Sequence, residues 1–80
     1  MIIPTKHTNF SQSLIGFGSY ILSKLEKNKS VDELWNEYLD DYENKRYPAK
    51  HNFDNLILTL LFLYTLGILE ERDGSVIKCD

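Results

Sequence analysis

The sequence predicts a mainly α-helical chain with a small β-hairpin, a winged-helix-like three-helix domain followed by a wing. Three observations predict it. Apolar residues recur at helical spacing in three segments separated by capping residues. The period changes after Gly67. Asp73-Gly74, the pair favoured in a type I′ turn, then sits between two short β-prone runs. A plain three-helix bundle with a disordered tail is the alternative.

Residues 1–8 are partly β-branched and hold Pro4, which reads as an extended arm or a short strand. Asn9 and Gln12 loosely fit a capping box, and Leu14, Phe17, Ile21, Leu22 and Leu25 follow at helical spacing. The first helix is therefore expected from about 11 to 27. Gly16 and Gly18 inside it each cost ~1 kcal/mol relative to Ala. They suggest close approach of another backbone, or a poor first turn.

The second helix is expected over 30–45. Ser30 and Glu33 form a capping box, and Asp32 adds negative charge at the positive end of the helix dipole. Val31, Leu34, Trp35, Tyr38, Leu39 and Tyr42 make one apolar stripe. Lys45 and Arg46 suit a helix C-terminus, and Pro48 forces Tyr47 out of the helical region.

The third helix is expected over 53–66, with Asn52 as cap, Asp54 in the first turn and Gly67 just past the end. Between Leu56 and Leu66 only Thr59 and Thr65 are clearly polar, so the helix has no obvious solvated face. Residues 68–78 then read as a hairpin, with Ile2-Ile3 able to add a strand at its edge. Leu34, Trp35, Tyr38, Leu61 and Tyr64 are the expected core, with Leu34 and Leu61 fully buried.

Eighty residues allow one domain, 1–80. A content of 42% hydrophobic and 26% charged residues is too apolar for a disordered chain. The net charge of −3 argues against a chain whose only job is to grip nucleic acid, since phosphate neutralisation carries most of that affinity. A single cysteine, Cys79, excludes an internal disulfide framework. No signal peptide is expected from the Met1-Ile2-Ile3-Pro4 start, and the apolar run from Leu56 to Leu66 is too short to cross a bilayer. A soluble, cytoplasmic domain without membrane contact is expected.

No catalytic constellation has a useful spacing. His7 and His51 with one cysteine do not make a zinc site, and each reads as a surface or hydrogen-bonded histidine. Asp40, Asp41, Glu43 and Lys45 carry the letters of a metal-dependent nuclease. A metal site needs carboxylates converging from rigid elements, and four residues on the back of one helix read as a solvated face. Gly16-Phe17-Gly18 lacks the third glycine and the preceding strand of a phosphate loop. No cofactor and no catalytic residue is expected.

Charge is unevenly spread. Residues 31–44 hold Asp32, Glu33, Glu37, Asp40, Asp41 and Glu43 and no base, while residues 1–30 hold Lys6, Lys24, Lys27 and Lys29 with the single acid Glu26. The bland reading is a solvated face with favourable helix–helix electrostatics. The sharper one is an acidic docking surface for a basic partner, with Glu37, Asp40 and Asp41 as contacts. A DNA-reading third helix must offer Arg, Lys, Asn or Gln to the major groove. No Arg or Lys occurs from Asp54 through Glu71, so specific DNA recognition is poorly supported. The apolar third helix would suit a homodimer or a partner subunit, unless the rest of the domain wraps it.

Four segments carry a family resemblance. They are Pro4-Thr5-Lys6-His7, Ser13-Leu14-Ile15-Gly16, Val31-Asp32-Glu33-Leu34-Trp35, and Phe53-Asp54 followed by Leu61 to Leu69 and Asp73-Gly74. Over about its full length the chain resembles the middle component 6 family of the ABC-three component systems. It departs in the longer, charged segment from Asp40 to Asn52. The resemblance implies bacterial, antiviral conflict systems that combine an ABC ATPase, a small middle component and an effector. It implies a non-catalytic adaptor between ATPase and effector subunits encoded nearby. The Pro4–His7 arm, through Lys6 and His7, is a candidate contact, or else an edge strand beside the wing. A winged-helix DNA-binding regulator is the alternative function.

Overall fold

The computed structural model describes residues 13–79. Three helices, α1 (Leu14–Lys24), α2 (Val31–Glu43) and α3 (Phe53–Thr65), precede two strands, β1 (Leu69–Arg72) and β2 (Ser75–Lys78). The strands pair antiparallel, with Leu69 opposite Lys78 and Arg72 opposite Ser75. Mainly helical, with a terminal hairpin, this is the winged-helix-like order that the sequence predicts. The expected arm over 1–8 and the Asn9 cap lie outside the described residues.

α1 is shorter than the expected 11–27 and coincides with its apolar spacing, Leu14 to Leu25. Ser13 has an extended backbone and its hydroxyl accepts the Gly16 N–H at 2.9 Å, so the helix starts at Leu14. It ends at Lys24, where the Leu25 N–H donates to the Leu22 carbonyl at 3.2 Å, and the chain then runs on to the hairpin. Lys29 N–H donates to the Val76 carbonyl at 3.4 Å, and Val76 N–H returns a bond to the Lys29 carbonyl at 2.7 Å. The segment before α2 thus bridges the edge of the wing, a long-range pairing without local signal.

α2 carries the expected capping box. Ser30 Oγ accepts the Glu33 N–H at 3.1 Å, and Glu33 Oε1 accepts the Ser30 N–H at 3.0 Å. Its buried face is Leu34, Tyr38 and Asp41, while Leu39 and Tyr42 of the apolar stripe are exposed. The inward row is rotated from the stripe towards the acids. The helix stops at Glu43, and Lys45 turns the chain with a φ of 60°. Tyr38 then fixes the loop that follows: its hydroxyl donates to the Ala49 carbonyl at 2.9 Å and accepts the His51 N–H at 2.5 Å.

α3 begins as expected, with Asn52 Oδ1 accepting the Asn55 N–H at 2.8 Å. It ends in a Schellman motif: Gly67, at φ 75°, donates to the Tyr64 carbonyl and Ile68 to the Leu63 carbonyl, both at 3.0 Å. Asp73 and Gly74 both have positive φ, 54° and 81°, as a type I′ turn requires.

Phe17, Ile21, Tyr38, Leu56, Leu60 and Val76 are buried at the centre of the core. Leu34 is buried as expected, and Trp35 and Tyr64 are half-buried against the cluster. Leu61 is not buried; it is 54% exposed. α3 turns Leu56, Thr59, Leu60 and Leu63 inward instead. Thr59 tolerates this because its hydroxyl donates to the Asn55 carbonyl at 2.7 Å, leaving a methyl to pack. A helix apolar on every side offers no period from which the inward face can be read. α3 is therefore not wrapped all round.

Candidate interaction site

Two chemically different surfaces stand out. The first runs along α1 and α3. On α3, Leu58, Leu61, Phe62 and Leu66 are exposed and fall on one face by their spacing of three and four. On α1, Leu14 and Ile15 are exposed beside them. Between the helices lies an open groove of about 320 Å³ lined by these α1 residues with Gly18, Leu22, Phe62, Leu63 and Leu66. Gly18 is buried, and a Cβ there would stand 3.6 Å from the Leu63 and Thr59 side chains, an ordinary contact, so α1 packs on α3 at a spacing that would also admit an alanine. Close approach of another backbone, one of the two readings of the glycines, does not account for Gly18, whose nearest neighbours across the groove are side chains.

The second surface is acidic and lies on α2. Asp32, Glu33, Asp40 and Glu43 are exposed, and Glu37 is half-buried. Lys29 Nζ sits 2.6 Å from Glu37 Oε2. An open cleft of about 510 Å³ is lined by Glu37, Asp40 and Asp41 with Lys24, Asn36 and Arg46. The structure thus brings together three of the five residues singled out as partner contacts. Lys6 and His7 lie outside the described residues.

Asp41 corrects the reading of a solvated helix back, for it is 5% exposed. Its carboxylate accepts the Tyr20 hydroxyl at 2.5 Å, Lys24 Nζ at 2.8 Å and Arg46 Nε at 2.8 Å. Burial alone would raise its pKa, but the donated bonds from Lys24, Tyr20 and Arg46 outweigh burial and hold it well below the usual carboxylate range. Burial, then the bond to Asp41, pushes the Tyr20 hydroxyl far up. A carboxylate that stays ionised and a phenol that stays protonated move no proton near neutral pH. The cluster is a brace between α1, α2 and the following loop, and Asp41 is spent on it. Asp40 stays outward and pairs with Arg46.

His51 is hydrogen-bonded and buried. Its ring stacks on Phe17 with centroids 4.0 Å apart, and Nδ1 lies 3.1 Å from Asn55 Nδ2. Tyr47 closes the same aromatic cluster, and burial, with the charge it would share with Tyr38, pushes its hydroxyl up to about 12. Periodicity cannot find such a loop residue, because its burial comes from Tyr38 gripping the loop from α2.

On α3 and its C-cap the exposed residues are Phe53, Asp54, Leu58, Leu61, Phe62, Thr65 and Leu66, without a cation. That face has no cation to offer phosphate. Among the described residues, no group of three His, Cys, Asp or Glu side chains could hold a metal ion. No helix among them is long and apolar enough to cross a membrane.

Neither the curated proteins nor the solved structures contain a match to this chain. A family model does match, over residues 3–79, and it includes the capped helices, the groove and the wing just described. The chain belongs to the ABC-three component (ABC-3C) system Middle Component 6 family.

Proposed function

We propose that the protein is the non-catalytic adaptor of its three-component system, joining the ABC ATPase to the effector through protein–protein contacts. Family membership supports an accessory role in such a system. The observation that carries the finer reading is the pairing of a mainly apolar face on α1 and α3 with an acidic face on α2. A bridging subunit needs two surfaces of different chemistry so that its partners do not compete. The apolar face suits a buried anchor. Glu37 and Asp40, with Asp32, Glu33 and Glu43 around them, suit a basic patch. Asp41 contributes by holding α2 in place. Lys6 and His7 are a third candidate contact in this reading, and the cytoplasm is where such a complex would assemble. Co-expression with the ATPase and effector subunits tests the proposal. Both should co-purify with the protein, and recovery of neither defeats it.

A further inference from the structure

We propose that the aromatic cleft between α2 and the start of α3 binds an extended, proline-rich segment of a partner protein, with a basic residue beside the prolines. The cleft is open, about 390 Å³ in volume, and shares no lining residue with the α1/α3 groove. Trp35, Leu39 and Tyr42 of α2 and Phe53 of α3 form its walls, and Glu43 and Lys50 also line it. Leu39, Tyr42 and Phe53 are exposed. The rings are held by their neighbours: Trp35 meets Phe53 edge to face with centroids 5.5 Å apart, and Tyr42 stacks on Tyr38 at 6.1 Å. Flat faces that are already ordered lose little freedom when a ligand packs on them.

Three features select the occupant. The first is unspent donors. Among the described residues, the Trp35 indole N–H and the Tyr42 hydroxyl have no hydrogen-bond partner, and Lys50 has no ion pair. The cleft therefore calls for acceptors. A docked helix spends its carbonyls internally, whereas a polyproline II segment makes no internal hydrogen bonds and presents them. The second is spacing. Trp35 and Tyr42 stand seven residues apart, two turns along one helix face, which is about 10.5 Å. The two prolines of a Pro-x-x-Pro segment stand about 9.3 Å apart, so one ring can pack on each. The third is charge. Asp32, one turn before Trp35, and Glu43, next to Tyr42, are exposed and have no ion pair among the described residues. They complement a base flanking the prolines. They also repel the phosphates of single-stranded nucleic acid, whose bases could otherwise stack on the same rings.

Fluorescence anisotropy of the full chain with a labelled decapeptide, carrying Pro-x-x-Pro twice and flanked by arginine, is the test. Saturable binding is expected with a Kd of about 10–300 µM, the range of a small transient contact. Trp35 is the single tryptophan, so its indole N–H resonance identifies itself and should shift during the titration. Tyr42→Ser should weaken binding at least tenfold with unchanged far-UV circular dichroism. Tyr42→Phe, which keeps the ring and guards against a serine variant that does not fold, should weaken it two- to fivefold. Asp32→Lys with Glu43→Lys should remove the advantage of the arginine peptide over one without arginine. The proposal is independent of the adaptor reading: a chain that binds the peptide and captures neither ATPase nor effector keeps the cleft and loses the adaptor. No saturation at about 1 mM peptide, a peptide with alanine for proline that binds equally well, or an unmoved indole resonance overturns the proposal. An oligothymidylate that binds more tightly than the peptide overturns it too, and would assign the cleft to nucleic acid.

Discussion

Asp41 Oδ2 accepts the Tyr20 hydroxyl at 2.5 Å, tying the middle of α1 to the last turns of α2. Lys24 and Arg46 reach the same carboxylate from the end of α1 and from the loop. Removing it strands the half-buried Tyr20 hydroxyl and takes a partner from Lys24, while Arg46 keeps its pairing with Asp40. Asp41→Ala should therefore cost about 1–3 kcal/mol, the range for an unsatisfied buried partner. The pH dependence follows from the depressed folded pKa. Unfolded Asp41 titrates near ~3.9. Its contribution is whole above that value and is lost as the pH falls from there through the folded value. Urea unfolding at neutral pH and in strong acid should show the wild-type advantage over Asp41→Ala shrink on acidification. An advantage independent of pH would remove the carboxylate from the brace.

Adjacent leucines on α3 should behave in opposite ways. Leu60→Ala opens a cavity in the core and should cost about 2–5 kcal/mol. Leu61→Ala changes an outward side chain and should fall within about 0.5 kcal/mol in the isolated monomer. Comparable losses at both positions, measured by urea denaturation at low protein concentration, would contradict the assignment of the inward face.

The same pair shows what the sequence could and could not convey. Local chemistry was legible: Ser30 with Glu33, Asn52, Gly67 and Asp73-Gly74 each sit where their capping or turn preference predicts, because a few neighbouring backbone groups decide those positions. Tertiary choices were not. Leu61 was expected inside because α3 is apolar on every side. Asp41 was expected in solvent because helical spacing scores a polar residue as outward, whereas Tyr20, Lys24 and Arg46 neutralise it in place. The Lys29–Val76 bridge joins residues far apart in sequence, so no local signal announces it. Of the two surfaces, acidic α2 was visible as composition. The groove between α1 and α3 required knowing which side of each helix faces the other.

The hairpin turn gives a local test. Gly74 holds a φ of 81°, which L-residues adopt at a cost of roughly 1–2 kcal/mol. Gly74→Val should lower stability by about that amount and speed amide exchange across β1 and β2, while the α3 amides keep their protection. An exchange pattern unchanged in the wing would mean that the turn does not set its register.

Duplex DNA should bind weakly and without sequence preference. The outward face of α3 carries Asp54 and no cation, and the exposed acids of α2 repel phosphate. Fluorescence anisotropy at low salt should give shallow curves that are alike for unrelated duplexes. Tight, sequence-selective binding would promote the DNA-binding regulator over the adaptor.

The central claim is that this chain works by joining two other subunits. Mixing it with the purified ABC ATPase and effector and measuring mass by light scattering after size exclusion tests that most directly. The account predicts a complex containing all three, with the ATPase and effector failing to associate when the chain is left out. It predicts further that Glu37→Lys with Asp40→Lys weakens one of the two contacts at least tenfold and leaves the other intact, because rim charges select a partner without building the apolar contact. An ATPase–effector complex that forms equally well without the chain, or a chain that binds neither, would contradict it.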